Sequence, residues 1–79
     1  MKEEIFNKIV EFIVENHSIP RENITMESAF QDLDMDSLDS LALINELEGS
    51  YNIQIDNKEI SKIKTVGNAV EILDKLMVS

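Results

Sequence analysis

Apolar residues recur at helical spacing in three separate blocks of this chain. Ile5, Ile9, Phe12 and Ile13 follow the i, i+4, i+7, i+8 pattern over residues 3–16, and Phe6 and Val10 widen the stripe. Leu43, Ile44 and Leu47 share one arc of a second helix over residues 37–50. Val66, Ala69, Val70, Leu73, Leu76 and Met77 keep the same period behind a Thr65 cap. Three faces of this kind cannot stay in water, and the economical arrangement packs them round one core. With only 2 Gly and 1 Pro, the chain is too poor in turn residues for a many-stranded sheet. The expected fold is all-α: three longer helices and one short one.

The connections are legible in the same terms. Asn16-His17-Ser18 and Pro20 end the first helix, because a residue before proline disfavours helical backbone. Residues 17–36 then form a long connection, and a loop of more than about 15 residues is usually functional. Pro20 to Ile24 reads as a single helical turn, with proline at its first position. Ile19, Ile24, Phe30 and Leu33 are spaced to pin the connection to the core. Gly49 and Ser50 are expected to end the second helix, with the glycine as a left-handed cap. Tyr51, Ile53 and Ile55 alternate with polar residues, but a lone short strand has no partner, so they read as inward anchors of an extended loop. Asp56 to Glu59 has capping-box spacing and opens a short helix carrying Ile60 and Ile63.

Composition narrows the function. A chain of 79 residues is expected to make one domain, 1–79, burying about 60% of its unfolded surface. No cysteine is present, so any thiol chemistry must come from an added group. Met-Lys-Glu-Glu places acids where a secretory signal needs bases, and no apolar run approaches a membrane span. A cytoplasmic protein without membrane insertion is expected. Of the net charge of −9, residues 27–56 account for most, with eight acids and no base. That disfavours nucleic acid and favours basic partners.

The acids concentrate around one serine. Asp36-Ser37-Leu38-Asp39 reads as a helix start, with Asp36 as N-cap, Ser37 first in the helix and Asp39 third. Ser37 then points its hydroxyl outward at a helix end that favours added negative charge. Leu38, Leu41 and Ala42 lie on a different arc from the core stripe. Either the helix is buried on most sides, or these residues form a docking patch rimmed by Asp36, Asp39, Glu46 and Glu48.

Phe30 to Glu48, FQDLDMDSLDSLALINELE, resembles the signature of acyl carrier proteins. Leu33, Asp36, Ser37 and Leu38 match its core, Asp39 and Leu43 follow as the family has them, and Asp34 stands where the family has glycine. The resemblance extends over nearly the whole chain. It implies a four-helix bundle of acyl-carrier type, with a long loop between helices 1 and 2. It also implies a 4'-phosphopantetheine arm on Ser37, with Asp36 beside it, and docking through Asp36, Leu38, Asp39, Leu41, Glu46 and Glu48. The implied partners are a phosphopantetheinyl transferase and acyl-transferring or condensing enzymes with basic docking surfaces, met by a monomeric carrier that catalyses nothing. The pathway would be fatty acid, polyketide or a related specialised one. Ala42 replaces an acid and Asn45 a large apolar residue of the usual fatty-acid carriers, which points to a specialised member.

Other readings of the same residues are open to comparison. An unmodified acidic protein-binding module could share the fold. Asp32, Asp34 and Asp36 start like a calcium loop, but Ser37 and Leu43 stand where glycine and glutamate are required. A hydrolase would need a base for Ser37, and His17 is the only histidine, at a helix end where it suits a surface or capping role. Phosphorylation of Ser37 would satisfy the same dipole argument as an arm.

Overall fold

In a computed structural model of the protein, which describes residues 2–78, four α-helices surround one apolar core. They are α1 (Lys2–His17), α2 (Ser37–Tyr51), α3 (Asn57–Ile60) and α4 (Val66–Val78). No strand occurs among the described residues, and the single β-bridge joins Ala29 to Thr65. The expected all-α architecture, three longer helices and one short, is the one observed.

The core follows from the helical stripes. α1 buries Ile5, Ile9, Val10 and Ile13, and α2 buries Leu43, Ile44 and Leu47. α4 contributes Val66, Ala69, Val70 and Leu73. α1 packs most extensively on α4, with lesser contacts to α2. Each fully buried aliphatic side chain stabilises the fold by about 1.5–3 kcal/mol relative to exposure, against the entropy of ordering the chain.

Residues 18–36 are neither helical nor loose. Ser18 takes a left-handed conformation (φ 55°) and its N–H donates to the Val14 carbonyl, which stops α1. Two short 3₁₀ turns follow, Arg21–Asn23 and Phe30–Leu33. Pro20 precedes the first turn instead of opening it. The second turn has no strong sequence signal, because Phe30 and Leu33 at i, i+3 are also the spacing of a loop anchor. Ile24, Phe30, Leu33 and Met35 are buried, while Ile19 is half-buried against the core.

This crossing segment is tied to the start of α4 by backbone hydrogen bonds. Phe30 N–H donates to the Lys64 carbonyl (3.1 Å), Val66 N–H to Ser28 (3.0 Å) and Gly67 N–H to Met26 (2.7 Å). α4 itself begins on a reciprocal cap: Asn68 N–H donates to Thr65 Oγ1, and Asn68 Oδ1 accepts from the Thr65 and Lys64 amides.

The end of α2 differs from expectation. The helix continues through Gly49 and Ser50 to Tyr51, and Asn52 is the left-handed residue (φ 55°, ψ 48°), with its N–H on the Glu48 carbonyl. Asparagine tolerates that conformation, so the glycine is not needed there and stays helical. At α3 the Asp56 carboxylate accepts from Lys58 N–H, and Glu59 pairs with Lys62 at 3.6 Å.

The two glycines therefore predict opposite effects. A Cβ at Gly67 would lie 2.8 Å from the Met26 carbonyl oxygen, whereas one at Gly49 meets nothing within 4 Å. Gly67→Ala should destabilise the protein by about 1–3 kcal/mol. Gly49→Ala should stabilise it by about 0.5–1 kcal/mol. Denaturant midpoints check both, and a stabilising Gly67→Ala would contradict the close approach.

Candidate functional site

The crossing segment ends in a sharp turn that delivers Ser37. Asp34 is left-handed (φ 59°, ψ 30°) and its N–H returns to the Phe30 and Gln31 carbonyls. Met35 N–H also donates to the Phe30 carbonyl, at 3.1 Å, and the Met35 side chain is buried. Aspartate is among the few residues that visit this backbone region at modest cost. The chain then turns extended at Asp36 (φ −86°, ψ −174°) and becomes helical at Ser37.

Asp36 and Asp39 close a complete capping box. Asp39 N–H donates to Asp36 Oδ1 at 2.9 Å, and Asp36 N–H donates to Asp39 Oδ2 at 3.2 Å. A cap of this kind is worth about 0.5–2 kcal/mol to a helix. The Asp39 amide bond is the main reason that the Asp36 carboxyl is held below the usual aspartate range. Partial desolvation opposes the shift, while the Asp39 side chain, the Leu38 amide and the charge of His17 reinforce it. The charge of His17, at the end of α1, thus acts on Asp36 although the two are far apart in sequence.

Ser37 is exposed and lies on a groove of about 720 Å³ between α2, the crossing segment and the α3 region. The groove has an apolar lining from Phe30, Met35, Leu41, Ile44, Ile60 and Ile63. Ser40, Ser61 and Lys64 add polar groups. Leu38 is 76% exposed and Leu41 44%, so the helix is not buried on most sides and these leucines are not core. At about 100° per residue, they share an arc with the exposed Ala42 and Asn45, flanked by Asp39 and Glu46 on one side and Glu48 on the other. Glu46 is exposed and accepts from the Ser50 hydroxyl at 3.3 Å. Glu48 is engaged differently, its carboxylate accepting from Ile55 N–H at 2.7 Å and clasping the chain after α2.

Sequence reasoning missed Met35 and the polar groups of the groove. Met35 had a usable signal: Leu33 and Met35 alternate with Asp32, Asp34 and Asp36, so one side of that stretch is apolar. Lys64 had none, because its place beside the groove depends on the bridge between Ala29 and Thr65. Among the described residues no group of three or more His, Cys, Asp or Glu is arranged to hold a metal, and no helix is long and apolar enough to cross a membrane.

Residues 7–73 match the family model described as a phosphopantetheine attachment site. The chain is 45% identical over 73 residues to an acyl carrier protein of Lactobacillus johnsonii, covering 91% of each. It is 39% identical over 75 residues to one of Petrotoga mobilis, covering 94% of this chain and 88% of the relative. The chain belongs to the acyl carrier protein family. The crystal structure of an acyl carrier protein from Thermotoga maritima superposes with a TM-score of 0.84 at 29% identity, over 96% of this carrier and 89% of that one. The acyl carrier protein of Enterococcus faecalis gives 0.81 at 27% identity, over 96% and 98%. Membership makes this a carrier and not a catalyst, with a covalent 4'-phosphopantetheine arm. The surroundings of the groove fit such a group: an exposed hydroxyl at a helix start for the phosphate, polar side chains for amides, and an apolar lining.

The lowered pKa of Asp36 carries a pH dependence. Its folded-state value lies below its unfolded value, so the unfolded chain takes up the proton first. The stabilisation is complete above the unfolded pKa of about 3.9 and is lost as pH falls through the lower folded value. Against Asp36→Asn, which can still cap but does not ionise, the wild type should hold an advantage at neutral pH that shrinks to zero in this acid range. Thermal melts across pH check it, and a constant difference would contradict the cap's charge.

Proposed function

We propose that Ser37 is the attachment residue and that this chain, a single acyl carrier domain over 1–79, serves a fatty acid, polyketide or related specialised acyl pathway. The observation that carries this reading is the state of its hydroxyl. Ser28, Ser50 and Ser61 have theirs in hydrogen bonds with Thr25, Glu46 and the Lys58 carbonyl. Ser40 is half-buried within the helical turn, and Ser18 follows α1 in a left-handed turn. Ser37 combines exposure, the first position of a capped helix and a groove large enough for a flexible chain.

Each neighbour has a part. Asp36 and Asp39 fix the helix start, which sets the direction of the Ser37 Cα–Cβ bond. The helix end favours the phosphate of a phosphodiester on Oγ. When bound, the arm supplies a terminal thiol that holds acyl groups as thioesters, which a chain without cysteine cannot provide itself. The groove's apolar residues offer an acyl chain shelter from water. Leu38 and Leu41 form the apolar centre of a docking face, with Asp36, Asp39 and Glu46 as its charged rim. Its partners would be a phosphopantetheinyl transferase and acyl-transferring or condensing enzymes with basic surfaces. Ala42 and Asn45 sit in the middle of this face, exposed, so they alter docking and not packing. That supports a dedicated set of partner enzymes.

Incubation with coenzyme A and a broad-specificity phosphopantetheinyl transferase should add one arm per chain. Ser37→Ala should abolish the addition and change stability by no more than about 0.5 kcal/mol, since Asp36 still caps and alanine suits a helix. A folded wild type that is never loaded would favour the unmodified binding module instead.

Leu38→Ala tests docking separately. Leu38 adds nothing to the core, so the melting temperature should hold while acyl transfer by a cognate enzyme falls roughly fivefold. Asp39→Lys would be a poorer probe, because it also breaks the capping box. Unchanged transfer by the Leu38 variant would place docking elsewhere.

A further inference from the structure

The phosphate that Ser37 would carry enters unfavourable surroundings. Asp34, Asp36 and Asp39 lie within three residues of it, in the stretch that holds eight acids and no base. The helix dipole offsets only part of this. The Asp39 amide already donates to Asp36 Oδ1, and the Leu38 amide also interacts with that carboxylate. The capping box therefore uses donors that a phosphate at an open helix end would otherwise take.

Across the groove stands one cation. Lys64 is the only basic residue lining it. Its backbone is held firmly: the carbonyl accepts from Phe30 N–H at 3.1 Å, and the N–H donates to Asn68 Oδ1 at 3.0 Å. The Phe30 carbonyl in turn accepts from Met35 N–H, two residues before Ser37. The Phe30–Lys64 hydrogen bond thus ties the Lys64 backbone to the segment that leads into the attachment position. Its neighbour Lys62 pairs with Glu59, whereas the Lys64 ammonium has no carboxylate partner among the described residues. A fixed base and an unpaired ammonium on a flexible stem suit a point-charge contact to phosphate.

We propose that Lys64 is a positioning residue for the arm: its ammonium pairs with the phosphodiester on Ser37 and draws the start of the arm over the groove instead of into solvent. This rests on Ser37 as the attachment residue and deepens that reading. It assigns part of the carrier's cargo shelter to a residue remote in sequence from the Asp-Ser-Leu motif. The Lys64 side chain is exposed and its backbone makes the structural bonds, so substitution leaves the fold in place.

The test compares wild type, Lys64→Gln and Lys64→Arg after loading to completion from coenzyme A, with loading read by intact mass. Phosphorus NMR then reports the surroundings of the phosphodiester. At low ionic strength wild type and Lys64→Arg should give closely similar signals, and Lys64→Gln a displaced one. In about 1 M salt, where the screening length is about 3 Å, the displacement should collapse. Identical signals from all three loaded proteins, or a displacement that survives the salt, would overturn the role of Lys64 while leaving Ser37 as the attachment residue. A wild type that takes no arm would strike instead at Ser37 itself.

Discussion

Three backbone hydrogen bonds from the crossing segment to the start of α4, at Met26, Ser28 and Phe30, hold the long connection against the bundle. Most features of the site follow from that attachment. It places Phe30 where its side chain can be buried, and the 3₁₀ turn that begins there carries Leu33 and Met35 inward. With both ends of the turn anchored, the left-handed residue at Asp34 has little freedom. The direction in which Asp36 and Ser37 leave it is set before α2 begins. Gly67 belongs to the same arrangement, because its bare Cα permits the approach to the Met26 carbonyl.

From this fixed start the site divides its work between two sets of side chains. Asp36 and Asp39 spend their carboxylates on each other's amides, which aligns Ser37 but surrounds it with negative charge. The α2 surface beyond them is apolar at Leu38 and Leu41 and acidic at its rim, which suits the proposed docking of basic partners. The groove on the other side of Ser37 is apolar with Lys64 beside it. A carrier needs both: one surface that other proteins recognise, and one that its own arm and cargo can lie against. They meet at Ser37, which is exposed at the start of α2.

Where side-chain period and local capping decide the structure, the sequence was a good guide. The stripes of α1, α2 and of α4 as far as Leu73, the Asp36 cap and the Thr65 cap all lie within a turn or two of the residues that determine them, whereas the period alone leaves the exposure of Leu38 and Leu41 open, and Leu76 of the α4 stripe is exposed. The failures share one cause. Gly49 reads as a helix end because glycine commonly is one, yet Asn52 takes the left-handed position once the chain must turn toward Ile53 and Ile55. Glu48 reads as a rim acid, yet it clasps the Ile55 amide. Lys64 and Ser61 reach the groove only through contacts between distant segments. Asp34, which stands where the family has glycine, takes a left-handed conformation, a region that glycine enters at no steric cost.

The central claim is that Ser37, exposed at the first position of a capped helix beside the groove, is the hydroxyl that takes the arm. Intact mass of the protein isolated from its host, followed by fragmentation of the peptide spanning Phe30 to Leu47, tests it most directly. The account predicts a single phosphopantetheine adduct, with or without an acyl group, mapped to Ser37. An adduct on Ser40, or a native protein that carries none under conditions where its host's other carriers are loaded, would contradict it.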